Sequence, residues 1–374
     1  MNIDERDDIT ITLLHYFVTE LDYEPLVVHG VKDEMWLQNV NQPYAIIRIV
    51  KSYIHNDEQL KFDYFKSLKV MRKMRAKTLT WNLKILNIYL DLGESVRPEA
   101  SKHIDSVNLS TRDSIKTNKF LKEHYPGIAK SINKDKKEII DFIDKTNDIN
   151  RKTEARNAKL DKIFNRKEPM ITYGLIAINV LIFLMMAMTT TMDVNRIFAQ
   201  FGNSLAGFMA GEYYRLFTAA FLHSNILHIA FNGYALYILG TAVENYFGKK
   251  KMLAIYFLSV LTASLLSLVF LPSPISVSVG ASGGVFGLFG AYIYFAYKYR
   301  VYMAGAIRQQ ILPILMINFA LSLMPGIDMA GHVGGLAGGA LAAYAIGTSE
   351  DKGNIHGIIM LGGLIIFMIA MLIS

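Results

Sequence analysis

Two short motifs in the second half of this chain carry the side chains best able to do chemistry. Residues 280–284 read Gly-Ala-Ser-Gly-Gly and place Ser282 at the head of a long apolar stretch, while Gly331 and His332 open a second such stretch. Polar side chains retained at membrane depth usually face an internal cavity and have a function there, because hydrocarbon is costly for them. A serine and a histidine at the mouths of two membrane helices therefore indicate hydrolysis inside a membrane.

A third motif could supply hydrogen-bond donors. His223, His228 and Asn232 form the pattern His-(Xaa)4-His-(Xaa)3-Asn at the start of another apolar stretch. On a helix His228 and Asn232 share one face, whereas His223 is rotated away by roughly 140°. The helical zinc motif needs histidines four apart with a glutamate between them, so this spacing favours an oxyanion site over a metal site. Polar contacts between helices for His228 and Asn232, and a loop-fixing role for His223, remain open alternatives.

The glycines around these motifs also allow a purely structural interpretation, in which they let membrane helices pack closely. The Gly-Xaa-Ser-Xaa-Gly pattern fits the nucleophile elbow of soluble hydrolases too, but a long apolar helix follows Ser282 here. Gly335 and Gly339 lie three and seven residues after His332 and share its helix face. They would bring that helix close enough to Ser282 for the imidazole of His332 to act as a general base.

Composition separates two unlike halves that must position these residues. The chain has 374 residues, 52% of them hydrophobic, and a mean hydropathy of +0.26. We predict a soluble domain with a charged helical tether at residues 1–165 and a membrane domain at residues 166–374. No apolar segment lies near Met1, so the hydrophobic run from Ile171 is expected to direct membrane insertion.

Cysteine content and charge exclude several classes of function. The absence of cysteine removes disulfides, thiolate metal sites and cysteine nucleophiles. The net charge of +7 is better explained by membrane topology than by nucleic acid, because the clearest basic clusters flank apolar segments. We expect no metal, no cofactor and no nucleic-acid partner.

The N-terminal half is predicted to be an α+β domain without a recognisable chemical motif. Short strands are indicated at residues 25–28, 35–37, 44–50 and 84–92, with a helix at 58–77. Its histidines are scattered, whereas metal sites need clustered ligands. The partner of this domain stays unknown from the sequence.

Seven apolar segments are predicted to cross the membrane, each near the ~20 residues that a spanning helix needs. They are residues 171–189, 225–246, 252–271, 281–297, 309–323, 329–347 and 355–373. Residues 193–221 mix apolar residues with glycines and are expected to lie partly in the outer leaflet.

Basic flanks predict the orientation of these segments, because lysine and arginine concentrate on the cytoplasmic side. They are Arg166, Lys167, residues 249–251, Lys298, Arg300 and Arg308. The N-terminal domain is therefore expected in the cytoplasm of a multi-pass cell-membrane protein. This orientation puts Ser282 and His332 at comparable depth near the outer face, as a catalytic pair requires.

The order, spacing and topology of the three motifs resemble those of the rhomboid family of intramembrane serine proteases over roughly residues 169–347. The resemblance implies an α-helical polytopic fold with a six-helix core, to which this chain adds a seventh C-terminal helix. It also implies a Ser-His dyad without a third carboxylate. Carried over to this chain, Ser282 is the nucleophile and His332 the base, and His228, Asn232 and the Ser282 backbone N–H form the oxyanion hole.

The resemblance extends to residues outside the dyad. Glu212 and Arg215 are expected to order the outer loop, and Glu244 to secure the inner end of the second span. Two positions depart from the family pattern, which often has Trp at the position of Tyr214 and sometimes Tyr at that of Phe286. Both keep an aromatic ring, so activity is expected to survive.

These features predict an endopeptidase that cleaves transmembrane protein substrates near the outer face of the lipid bilayer. The resemblance implies that substrates enter between the second and fifth spans, with residues 324–330 as a cap. The alternatives are a catalytically inactive relative that binds membrane clients and a transporter with a polar core. The first would be expected to lack Ser282 or His332, and the second usually has paired broken helices or repeats.

Overall fold

The computed structural model describes residues 4–78, 80–98, 101–131, 138–165, 168–188, 194–306, 309, 313, 316–317 and 327–373. It divides the chain into two compact units, Met1–Ala158 and Lys159–Ser374. The proposed domain boundary after residue 165 falls one residue beyond the end of the helix Glu138–Phe164.

The N-terminal unit is built on one mixed sheet. Strands β1 to β5 follow the sheet order and span Glu24–Pro25, Glu34–Gln38, Ile46–Val50, Ile85–Tyr89 and Ile104–Asn108. The first three strands pair antiparallel and the last three parallel. Helices α1 to α5 span Glu5–His15, Asp57–Thr78, Arg112–Thr117, Lys119–His124 and Glu138–Phe164. The α+β class predicted for this half is confirmed.

One charged side chain is completely buried within this sheet. Arg48, in the middle of β3, is 0% exposed and donates to Asp63 Oδ2 at 2.6 Å and to Glu34 Oε2 at 3.0 Å. Burial alone would raise the pKa of the Asp63 carboxyl, but the hydrogen bonds and charge of Arg48 outweigh it and lower that pKa. Tyr89 donates to the same carboxylate at 2.9 Å. Buried charges are stable only when paired in this way, so the cluster has a structural role.

The second unit is a helical membrane domain. Its long helices are α6 Met170–Met188, α10 Ile226–Phe247, α11 Lys249–Phe270, α12 Ser282–Lys298, α14 Met329–Ile346 and α15 Ile355–Ile373. The outer loop forms the short helices α7 Val194–Phe201, α8 Leu205–Met209 and α9 Arg215–Thr218, and α13 Arg300–Ala306 follows α12.

Five helices of the described part of the chain are long and apolar enough to cross a membrane. They begin and end within about three residues of five predicted segments, because apolar runs are what a bilayer requires. Helix α12 is the sixth match, although its 17 residues make it slightly shorter. Most of the fifth predicted span, residues 309–323, and part of the predicted cap loop, residues 324–330, lie outside the described residues, so the seven-helix count stays a prediction.

Buried polar contacts fix the predicted inner ends of these helices. Glu244 on α10 accepts hydrogen bonds from the backbone of Ile171 at 2.9 Å and of Thr172 at 2.8 Å, and from the Thr172 hydroxyl at 2.8 Å. These bonds satisfy amides at the start of α6 that have no partner within their own helix. Glu244 therefore secures a helix end, in agreement with the sequence analysis.

A second cluster holds the loop between α14 and α15. The Asp351 carboxylate binds Lys159 and Lys298, each at 2.7 Å, and accepts from the hydroxyls of Tyr299 and Thr348, each at 2.8 Å. Burial alone would raise the pKa of Asp351, but these hydrogen bonds outweigh it and hold the pKa well below its usual range. The carboxylate therefore stays ionised and fixes the end of α14 opposite His332.

Candidate active site

Ser282 is the first residue of α12 and follows a turn at Gly280. Gly280 has φ +124°, a conformation that side chains with a Cβ rarely adopt. Its N–H donates to Ala219 O at 2.9 Å, and a Cβ at this position would lie 2.7 Å from Nε2 of His228. A glycine is therefore required both for the turn before Ser282 and for the close approach of the His228 ring.

Glycines bring the Ser282 and His332 helices into backbone contact. A Cβ added to Gly335 would lie 2.1 Å from Gly283 O, and one added to Gly339 would lie 2.0 Å from Gly287 O. Since real Cβ atoms do not approach backbone so closely, α12 and α14 could not pack at this distance with larger residues. The close approach predicted for these glycines is confirmed.

Ser282 and His332 line the same cavity, which has a volume of about 30 Å³. Further lining residues that belong to other parts of the fold are Asn203, Ala219, Ser264, Ser267, Ser278 and Asp328. A space of this volume can hold one or two water molecules, provided that polar groups line it. The structure thus places a hydroxyl nucleophile and an imidazole on one polar, partly enclosed space.

The His332 ring is held by stacking. It is 9% exposed and lies parallel to the Phe286 ring, with centroids 4.1 Å apart and an interplanar angle of 11°. Phe286 follows Ser282 by one helical turn on α12. The same helix therefore carries the serine and the ring that packs on the imidazole.

The His228 ring is oriented by the contacts of its Nδ1 with Ser224. Its Nδ1 lies 3.2 Å from the Ser224 hydroxyl and 3.5 Å from the Ser224 backbone N. A backbone N–H can only donate, which favours an unprotonated Nδ1 and a proton on Nε2. That Nε2 is the atom that would lie nearest to a Cβ at position 280. His228 can therefore present an N–H beside the turn that carries Ser282.

Asn232 lies one turn further along α10 and is placed differently. Its Nδ2 donates to His228 O at 3.0 Å, and it lines a neighbouring cavity of about 20 Å³ together with Asn179, His223 and Ala281. The structure thus brings Ser282 and His332 onto one cavity and His228 against its edge. Asn232 instead lines the neighbouring cavity.

The remaining polar residues of the motifs have structural contacts. His223 is 1% exposed and packs edge-on against His228 at 5.0 Å. Burial and then the charge of His228 lower the pKa of His223 to about 4, so its ring is neutral near pH 7. Arg215 pairs with Glu212 at 2.6 Å and also donates to Gly202 O at 3.3 Å. These contacts agree with loop-ordering roles.

The sequence motifs do not include the other polar residues of the cavity, among them Ser278 and Asp328. Asp328 is the N-cap of α14, and its Oδ1 accepts from Gly331 N at 2.8 Å. An aspartate just before an apolar helix is a recognised capping signal. That signal could have placed a carboxylate beside His332, but nothing in the sequence indicates its contact with Ser278.

Comparison with known proteins leads to the family that the three sequence motifs resemble. The family profile described as Rhomboid domain matches residues 210–349. This segment contains the His228 motif, Ser282 and His332.

Three similar proteins are named as members of this family. "Rhomboid protease GluP" of Bacillus subtilis (strain 168) is 28% identical over 342 residues, which cover 86% of this chain and 66% of that protein. "RHOMBOID-like protein 6, mitochondrial" of Arabidopsis thaliana is 37% identical over 144 residues, covering 38% of this chain and 46% of that protein. "Rhomboid protease AarA" of Providencia stuartii is 30% identical over 160 residues, covering 37% of this chain and 57% of that protein.

The matches thus span between about half and two thirds of these relatives' own lengths. The GluP match alone among these three covers most of this chain, and so reaches into its N-terminal half. The motifs, the helical membrane fold and the matched domain lead to one conclusion: this chain is a multi-pass membrane protein in which residues 210–349 match the rhomboid domain.

Proposed function

We propose that this protein is an intramembrane serine endopeptidase that cleaves transmembrane proteins near the outer face of the cell membrane. The observation that carries the proposal is the shared cavity of Ser282 and His332, at the starts of two helices in backbone contact. The orientation rests on the basic flanks at the opposite helix ends, which put the N-terminal domain in the cytoplasm.

The reaction would proceed by covalent catalysis. The Ser282 hydroxyl attacks the peptide carbonyl while His332 takes its proton, and His332 then returns the proton to the leaving amine. The resulting ester is hydrolysed by a water that His332 activates. The cavity has room for that water beside both side chains.

The negative charge on the attacked carbonyl oxygen needs hydrogen-bond donors placed in advance. The backbone N–H of Ser282 lies in the first turn of α12, where amides have no partner within the helix. His228 would donate its Nε2–H from the other side of Gly280. Asn232 would donate the second hydrogen of its Nδ2 amide, since the first is donated to His228 O. Helix starts carry a positive dipole end, which favours the same oxyanion.

The cavity is far too small for a folded helix, so the substrate must present an extended segment. A backbone that keeps its helical hydrogen bonds cannot lie beside Ser282 with its carbonyl exposed. Substrates with helix-breaking residues near the outer membrane boundary are therefore expected to be preferred. The resemblance to rhomboids implies small residues at the cleaved bond.

The stack between Phe286 and His332 leads to a first prediction. Phe286→Ala is expected to lower kcat about three- to tenfold with little change in KM, since an aromatic pair is worth about 0.5–1.5 kcal/mol and 1.36 kcal/mol corresponds to tenfold in rate. Phe286→Tyr keeps a ring and should retain activity. Steady-state cleavage of a membrane-helix substrate in detergent measures both variants. Unchanged kcat in Phe286→Ala would show that the stack does not orient the imidazole.

The competing possibility is a catalytically inactive rhomboid-like protein that binds membrane clients. The two possibilities are distinguished by incubating the purified full-length chain with a membrane-helix substrate and sequencing the products. We expect cleavage at one bond near the outer boundary, with no product from Ser282→Ala. Binding of the substrate without cleavage by the unmodified chain would favour the inactive protein instead.

A further inference from the structure

Two residues outside the dyad join the segments that carry its members. Ser278 lies four residues before Ser282, and Asp328 lies four residues before His332. The Ser278 hydroxyl donates to Asp328 Oδ2 at 2.7 Å, while Oδ1 of the same carboxylate caps the start of α14 through Gly331 N at 2.8 Å. One carboxylate thus connects the loop before the nucleophile to the first turn of the helix that carries the base.

The loop around Ser278 is otherwise fixed on its other side. Its backbone forms a two-way bridge with Asn203, at 2.9 and 3.0 Å, and Asn203 Nδ2 donates to Ser264 O at 3.0 Å. These bonds hold the loop to α11 and to the outer loop. The Ser278 hydroxyl is the group of this loop that reaches Asp328 on the His332 side.

We propose that the Ser278–Asp328 hydrogen bond is a positioning clasp that sets the distance and angle between the Ser282 hydroxyl and the His332 ring. The proposal rests on the proposed function, because positioning matters only if the two residues react together. Glycine contacts fix the separation of the helices further inside the bundle, whereas the clasp acts at the turns that carry the reacting groups. A hydrogen bond to a carboxylate is about twice as strong as one between neutral groups, which suits this role.

A different role for Asp328 would be that of the third member of a catalytic triad, bound directly to the imidazole. The two roles predict opposite effects of Asp328→Asn. Replacing the triad aspartate of a serine protease by asparagine lowers kcat by about 10⁴-fold, because the histidine tautomer is wrong. In the clasp, asparagine caps helices as well as aspartate does and can donate from Nδ2 to the Ser278 oxygen.

The clasp therefore predicts a specific order among four variants of the full-length protein. Misplacing a reacting group by 1 Å can cost about 100-fold, so Asp328→Ala and Ser278→Ala are expected to lower kcat by about ten- to a hundredfold at similar KM. Asp328→Asn should stay within about threefold of the unmodified protein. The double variant Ser278→Ala/Asp328→Ala should be no slower than Asp328→Ala, because the bond that Ser278→Ala removes is already absent in Asp328→Ala. Ser276→Ala, in the same loop but not on the cavity, is the matched control and should be unchanged.

Hydrogen exchange provides a readout that does not depend on activity. Amides of residues 328–335 should exchange faster in Ser278→Ala than in the unmodified protein or in Ser276→Ala, because the start of α14 loses its anchor. If no variant has activity but this difference is present, the clasp stands and the proposed protease function fails. If Ser278→Ala leaves both kcat and exchange unchanged, or if Asp328→Asn is as slow as Asp328→Ala, the clasp is wrong.

Discussion

Replacing His332 by alanine is expected to abolish peptide hydrolysis, lowering kcat/KM by at least about 10⁴-fold, as loss of the base does in serine proteases. His332 shares the Ser282 cavity and is stacked on Phe286. Without it the serine hydroxyl stays protonated and is a weak nucleophile. Product formation from a membrane-helix substrate, followed over hours at high enzyme concentration, gives the range needed to measure such a loss.

The matched control for this change is His356→Ala. His356 is exposed near the start of α15 and should be replaceable without loss of rate. Both variants must retain the thermal unfolding midpoint of the unmodified protein to within about 2–4 °C, which corresponds to about 1 kcal/mol for a domain of this size. Activity in His332→Ala above about one hundredth of the original would contradict its role as the general base.

Replacing His228 by alanine is expected to lower kcat by about 100- to 1,000-fold, the usual effect of losing one oxyanion donor. Its Nε2 occupies the space that a Cβ at position 280 would need, two residues before Ser282. KM should change little, because the donor acts on charge that develops in the transition state. Kinetic constants for the same membrane-helix substrate separate the two parameters.

Asn232→Ala is expected to have a smaller effect than His228→Ala. The Asn232 amide already donates within its own helix and lines the neighbouring cavity. His228→Gln restores an N–H donor and should recover part of the rate, whereas His228→Phe should not. A change in KM without a change in kcat in His228→Ala would argue against an oxyanion role. Equal rates for His228→Gln and His228→Phe would argue against it as well.

The membrane helices could be predicted closely because one physical demand dominates their sequences. A segment that crosses hydrocarbon must be apolar over its whole length, so its ends are visible in the sequence. The elements missed in the N-terminal unit lack such a signal. Strand β5, Ile104–Asn108, has apolar side chains only at Ile104 and Val107, and is buried through contacts distant in sequence.

The candidate site could be predicted in part for a related reason. Ser282 and His332 are noticeable because polar residues are rare in membrane segments and their glycine neighbours allow close approach. The connection between Ser278 and Asp328 could not be predicted, since each residue has an ordinary local explanation in a loop or a helix cap. Helical phase puts Asn232 on the same face as His228, but phase alone does not determine which cavity its amide enters.

Chemical labelling tests directly whether Ser282 is the nucleophile. The purified full-length protein is treated with a fluorophosphonate, digested and analysed by mass spectrometry to locate the modified side chain. We expect one adduct per chain on Ser282, absent from Ser282→Ala, strongly reduced in His332→Ala and unchanged in Ser276→Ala. An adduct on another serine, or substrate cleavage that continues in Ser282→Ala, would contradict it.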